Sequence, residues 1–186
     1  MVHLAEKMNN KYERKEKMKD AKERRFTMNI IQQIAVGSSC YKSGGRINIR
    51  GLMLHSVGCN QPKAEVFANQ WNRSDDVCCH GVVDGEKAIQ TLPWNYRGWH
   101  CGDSGNNTHI GIEMTEPSQI HYTKGCTFTC DNIPVAREQV RRTYVNAVEL
   151  FAFLCTKYGL NPITDICSHN EGRQKGIASS HKQTVA

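Results

Sequence analysis

Long hydrophobic runs are missing from this chain. No stretch approaches about 18 consecutive apolar residues, so no membrane span is expected. The N-terminus is charged, but no apolar core follows the charges, so the sequence shows no secretory signal peptide. Paired cysteine motifs are also lacking. Nine cysteines are present. Cys126 and Cys130 are separated by three residues, and no matching second pair follows, which argues against a zinc knuckle. An odd cysteine count without an export signal reads as reduced thiols in a chain made in the cytoplasm. Internal repeats and low-complexity blocks are absent too, and 186 residues suit a single domain.

Basic charge is plentiful but unevenly placed. The formal net charge is +6, yet residues 1–27 hold nine cations against five anions. That segment therefore carries +4, and the remaining 159 residues only +2. It has few apolar residues and no helical stripe, so it reads as a solvated, partly helical extension outside the domain. A basic arm for nucleic acid is the rival reading, and no nucleic-acid partner is expected.

From residue 28 to 186 the pattern is that of a compact α/β domain. GLMLHS (51–56) is a short apolar run between glycines and reads as a buried strand ending at His55. Pro62 to Trp71 suits a helix with proline in its first turn. DVCCHGVVDG (76–85) and KAIQTL (87–92) read as two strands joined through Asp84-Gly85, a hairpin signal. Residues 93–107 form a long glycine- and asparagine-rich loop, and THIGIEM (108–114) is another buried strand. Residues 134–158 give the clearest helix, with Val140, Tyr144, Ala147, Val148, Phe151, Leu154 and Tyr158 as its apolar stripe. TDICSH (164–169) reads as a last strand ending at His169, followed by a polar tail over 170–186.

Two histidines thus stand at strand ends, where α/β domains commonly place their sites. Neutral imidazole is the commonest metal ligand, so His55 and His169 together suggest a metal site. Strand alternation puts His109, Gly111 and Glu113 on one face. A carboxylate inside an apolar strand needs a partner or a cleft, and partial burial would raise its pKa toward that of a general base. His100 lies in a glycine-rich loop suited to a site contact. His80 either faces the cleft or is a core histidine with a partner.

The segments GLMLHSVGCNQP, CCHGVVDGEKAIQTLPWNYRGWHCG, NNTHIGIEMTEP, AREQVRRTYVNAVELFAFLCTKYGL and ICSHNEGRQKGIASS, in this order, resemble the zinc-dependent N-acetylmuramoyl-L-alanine amidases of the amidase-2 family. The likeness is to the phage and Gram-positive type and spans about Met28 to Ser180. It implies a single α/β domain, a central mixed β-sheet flanked by helices, with a zinc site at one edge. His55 and His169 match the two zinc histidines, and Glu113 the glutamate that acts as base on metal-bound water. His181 matches the family position whose Lys or His stabilises the oxyanion. His80, His100 and Asn107 are then candidates to line the groove for the glycan and stem peptide. The implied partner is peptidoglycan, bound by a monomer that acts on the cell wall after release as a lysin or by lysis. Gln183 stands where similar amidases carry an aspartate ligand. A neutral amide is a poor zinc ligand, so the sequence reads as a C-terminally truncated or divergent version of the family. The alternative it raises is a peptidoglycan-binding module without catalysis.

Overall fold

The computed structural model describes residues 29–125 and 127–180. The expected extension over 1–27, as well as His181 and Gln183, lies outside the described residues.

The first described elements are β1 (Ile30–Gln32) and a short helix α1 (Ser39–Lys42), followed by β2 (Gly51–Ser56) and α2 (Ala64–Trp71). Next come β3 (Gly81–Val83), β4 (Ala88–Gln90), a 3-10 turn (Ser104–Asn107) and β5 (His109–Met114). A small hairpin, β6 (Ile120–Tyr122) and β7 (Phe128–Cys130), leads to the long helix α3 (Ile133–Tyr158). The last described elements are β8 (Ile166–Ser168) and α4 (His169–Gln174). Six strands form one mixed sheet in the order β1-β4-β3-β5-β2-β8. The β3–β4 pair is antiparallel, as the Asp84-Gly85 turn predicts, and the other pairs are parallel.

Period-two alternation sorts the strand residues into two cores. Leu52, Ile110, Ile112, Val83 and Ala88 pack with Ala147, Leu150, Phe151 and Leu154 of α3. On the opposite face Val82 and Ile89 pack with Ala64, Phe67, Ala68 and Trp71 of α2. Met53 joins Cys101, Cys167 and Ala178 in a third, smaller cluster. The face opposite α3 is therefore covered by α2 over β3 and β4, and by the α4 region over β2 and β8. His55 and Glu113 belong to that face.

Helix α3 starts and stops where its sequence says. The Asn132 side chain caps Val135 N–H, Pro134 sits in the first turn, and Gly159 takes the left-handed conformation at φ 66°. Its stripe differs from the expected one. The buried residues are Ala136, Thr143, Ala147, Leu150, Phe151, Leu154 and Cys155, while Val140, Tyr144 and Val148 are 43%, 55% and 51% exposed. Two apolar rows about 60° apart run along this helix, and the sheet covers only one. The other looks over a hollow bordered by Ile120 and Phe128 of the hairpin. The segment after β8 also departs from expectation. Ser168 and Glu171 form a reciprocal capping box, which turns His169–Gln174 into a helix rather than a polar tail.

Candidate active site

Strands β2 and β5 pair in parallel with His55 opposite Glu113. Strand β8 pairs with β2 through Leu54 and Ser168, which delivers His169 beside His55. His169 is the first residue of α4 rather than the end of a strand, and the capped turn fixes its backbone. His55 Nδ1 and His169 Nδ1 are 3.1 Å apart, and both residues are buried. On its other side His55 Nε2 lies 3.0 Å from His100 Nδ1. The rings stand edge to face with centroids 5.0 Å apart in both pairs. His80 continues the row, 5.7 Å from His100.

The proton positions follow from what each partner can do. A carbonyl oxygen only accepts. His169 Nε2 lies 2.9 Å from Ser179 O, and His100 Nε2 3.1 Å from His109 O, so both rings donate from Nε2. Each therefore turns an Nδ1 lone pair toward His55. A neutral His55 has one N–H and can serve one of the two. The remaining contact brings two nitrogen lone pairs together at about 3 Å, an arrangement that a cation between them satisfies. Two nitrogens on a tetrahedral zinc, each at about 2.0–2.1 Å, lie about 3.3 Å apart. The His55–His169 pair fits that spacing. Among the described residues, no cluster of three or more His, Cys, Asp or Glu is arranged to hold a metal ion.

Glu113 is half-buried. Burial, with a smaller push from Glu116, moves its carboxyl up to about 7, against a hydrogen bond that lowers it. The donor of that bond is the Cys79 thiol, 3.5 Å from Oε1. Glu113 Oε2 is shielded from solvent and has no hydrogen-bond partner among the described residues. A carboxyl that titrates near neutrality can both take and give a proton there.

Three expectations about the groove need correction. His80 is fully buried and lines nothing open. Its Nδ1 accepts from Gly111 N–H at 3.0 Å, and its Nε2 donates to Tyr96 O at 2.8 Å. Burial holds it neutral, with its pKa lowered to about 4. His100 is buried as well, and the same desolvation drives its pKa well below the usual value. Asn107 is exposed but precedes β5, at the opposite end of that strand from Glu113, where its side chain accepts from Arg97 at 2.6 Å. Its neighbour Asn106, which sequence reasoning missed, does the local work. Its Oδ1 accepts from the backbone N–H of both His100 and Cys101, each at 3.0 Å. Ser179 ties in from the far side, donating from N and Oγ to Cys101 O at 2.8 and 3.0 Å. The turn signal of Gly102 to Asn107 pointed to this loop but could not say which asparagine faces inward.

Residues 45–184 match the family model described as N-acetylmuramoyl-L-alanine amidase (Amidase_2). The chain is 28% identical over 133 residues to the N-acetylmuramoyl-L-alanine amidase CwlA of a Bacillus species, covering 69% of this chain and 46% of that protein. It is 29% identical over 103 residues to the N-acetylmuramoyl-L-alanine amidase XlyA of Bacillus subtilis (strain 168), covering 52% and 35%. The chain thus spans less than half the length of these curated relatives. Among solved structures, a mutant endolysin from Bacillus subtilis superposes with a TM-score of 0.60 at 22% identity, covering 81% of this chain and 90% of that one. The catalytic domain of XlyA gives 0.59 at 23% identity with the same coverages, 81% and 90%. At such identities the likeness is one of fold, and it agrees with the α/β architecture the sequence implies.

Proposed function

This chain belongs to the N-acetylmuramoyl-L-alanine amidase family, and from that premise we propose that it hydrolyses the amide between the lactyl group of N-acetylmuramic acid and L-alanine in peptidoglycan. The observation that carries the reading is the convergence of His55 Nδ1 and His169 Nδ1 at 3.1 Å on the strand pair that presents Glu113.

His55 and His169 would hold a zinc ion. When bound, zinc polarises a carbonyl and makes water acidic enough to attack at neutral pH. Glu113 would take the proton of the attacking water at Oε2, which no described residue holds, and hand it to the leaving amine, so that amide and water become carboxylic acid and amine. Its elevated pKa suits both halves of that transfer. The resemblance assigns His181 to the oxyanion. The partner is peptidoglycan and the enzyme works as a monomer at the cell wall; no described helix is long and apolar enough to cross a membrane.

The test is zinc content per chain, together with release of free amino groups from isolated cell walls, before and after a chelator. The expected result is close to one zinc per chain and amine release that the chelator abolishes. A protein that binds zinc neither as purified nor on addition, and frees no amines from any wall preparation, would refute the reading.

A further inference from the structure

We propose that His100 is a positioning residue that accepts the Nε2 proton of His55 and so points the Nδ1 lone pair of His55 at the metal. The proposal rests on the zinc reading of the His55–His169 pair. His100 is fixed from three sides. Its Nε2–H is spent on His109 O at 3.1 Å, which leaves Nδ1 as the acceptor 3.0 Å from His55 Nε2. Its backbone N–H is held by Asn106 Oδ1 at 3.0 Å. Its ring occupies space that the chain leaves open by omitting side chains. A Cβ on Gly111 would lie 2.4 Å from His100 Cγ and 2.5 Å from Nδ1, and one on Gly98 would lie 2.9 Å from His100 Cδ2. Two side-chain-free positions on separate segments, one inside a buried strand, admit this single imidazole behind His55.

A His55 with one N–H has two Nδ1 acceptors beside it, and the zinc reading of the His55–His169 pair decides between them. On the His100 side, Gly98, Gly111 and the ring of His80 pack against the imidazole. The His169 side is bounded by α4 and the residues up to Ser179. The proton therefore goes to the His100 side and the lone pair to the His169 side. A metal-binding histidine commonly donates its other N–H to such a fixed acceptor, and losing the acceptor typically weakens the metal about 10–100-fold.

The experiment measures Zn2+ affinity of the full chain by competition with a fluorescent chelator, without reference to catalysis. His100→Phe fills the slot with a ring that cannot accept, and His100→Leu is a second apolar filler should Phe not fold. His100→Asn restores an acceptor near the Nδ1 position. Thermal melts of the metal-free proteins identify the folded variants. The expected result is a loss of about 10–100-fold in zinc affinity for the folded apolar variant, and recovery of most of it by Asn. An apolar variant that binds zinc within about twofold of the wild type overturns the role, as does an Asn variant as weak as Phe, which would make His100 a direct ligand. If the wild type itself binds no zinc, the metal reading fails first and takes this one with it.

Discussion

Glu113 offers the sharpest quantitative test because one atom change isolates one term. Glu113→Gln keeps the shape of the side chain and removes its ionisation. In the metal-free protein, burial raises the carboxyl from the ordinary 4.5 to about 7. A group whose folded pKa is raised holds its proton in the native state while the unfolded chain has already lost it. Stability therefore falls as pH rises, starting near 4.5 and ending near 7, by about 3 kcal/mol in total. The Gln variant lacks this term, and the other titrating groups are common to both proteins. Urea unfolding in the presence of a chelator, at pH 4 and at pH 8, gives the two stabilities of each protein. Relative to wild type, the variant should gain about 3 kcal/mol between the two pH values, whatever constant offset the amide introduces. A gap that stays the same within about 0.5 kcal/mol, or one that grows in the opposite direction, would show that Glu113 is not held in a desolvated pocket. Cell-wall amide hydrolysis, measured on the same variant with zinc restored, should be lost.

Other consequences can be measured alongside. Ser168→Ala removes the side-chain cap of α4 and should cost about 0.5–2 kcal/mol in a thermal or urea melt, with weaker zinc binding because His169 opens that helix. Gly111→Ala forces a Cβ against the His100 ring and should destabilise by about 1–3 kcal/mol; an unchanged melting temperature would place the ring elsewhere. Leu150→Ala should cost about 2–5 kcal/mol, whereas Val148→Lys, on the uncovered row of the same helix, should change stability by less than about 0.5 kcal/mol. Equal losses at the two positions would mean that the helix is rotated from the orientation described.

Much of the frame was legible because local chemistry and tertiary demand agree. The middles of the runs at 51–56 and 108–114 are buried on both faces, so Leu52, Met53, Ile110 and Ile112 stay apolar. Asp84-Gly85 and the Asn132–Gly159 caps act within a few residues, which a sequence displays directly. The hairpin of β6 and β7 was missed because each strand is three residues long and mostly exposed, too short for the alternation of IHY and FTC to stand out. The α3 stripe was misplaced because the helix is apolar on more of its circumference than the sheet covers. Within the site, His55 and His169 stood out as histidines following short apolar runs, and Glu113 as a carboxylate inside one. His80, His100 and Asn107 were harder. Whether a loop histidine lines a groove or fills a core depends on what lies behind it, and here that includes Gly111, brought in by strand β5. The Ser168–Glu171 spacing did carry a readable signal, since Ser-x-x-Glu is the mark of a capping box.

The His55–His169 contact joins residues 114 positions apart. The two are not held equally. His55 rides on a six-residue strand between two neighbours, while His169 follows an edge strand of three residues with a partner on one side only. Local opening costs least where few pairings must break. Amide hydrogen exchange should therefore be slowest along β2 and β5, at the rate of global unfolding, and faster along β8 and α4. The site is then assembled from a rigid half and a yielding half, and the lifetime of whatever it holds is governed by how often the yielding half swings away.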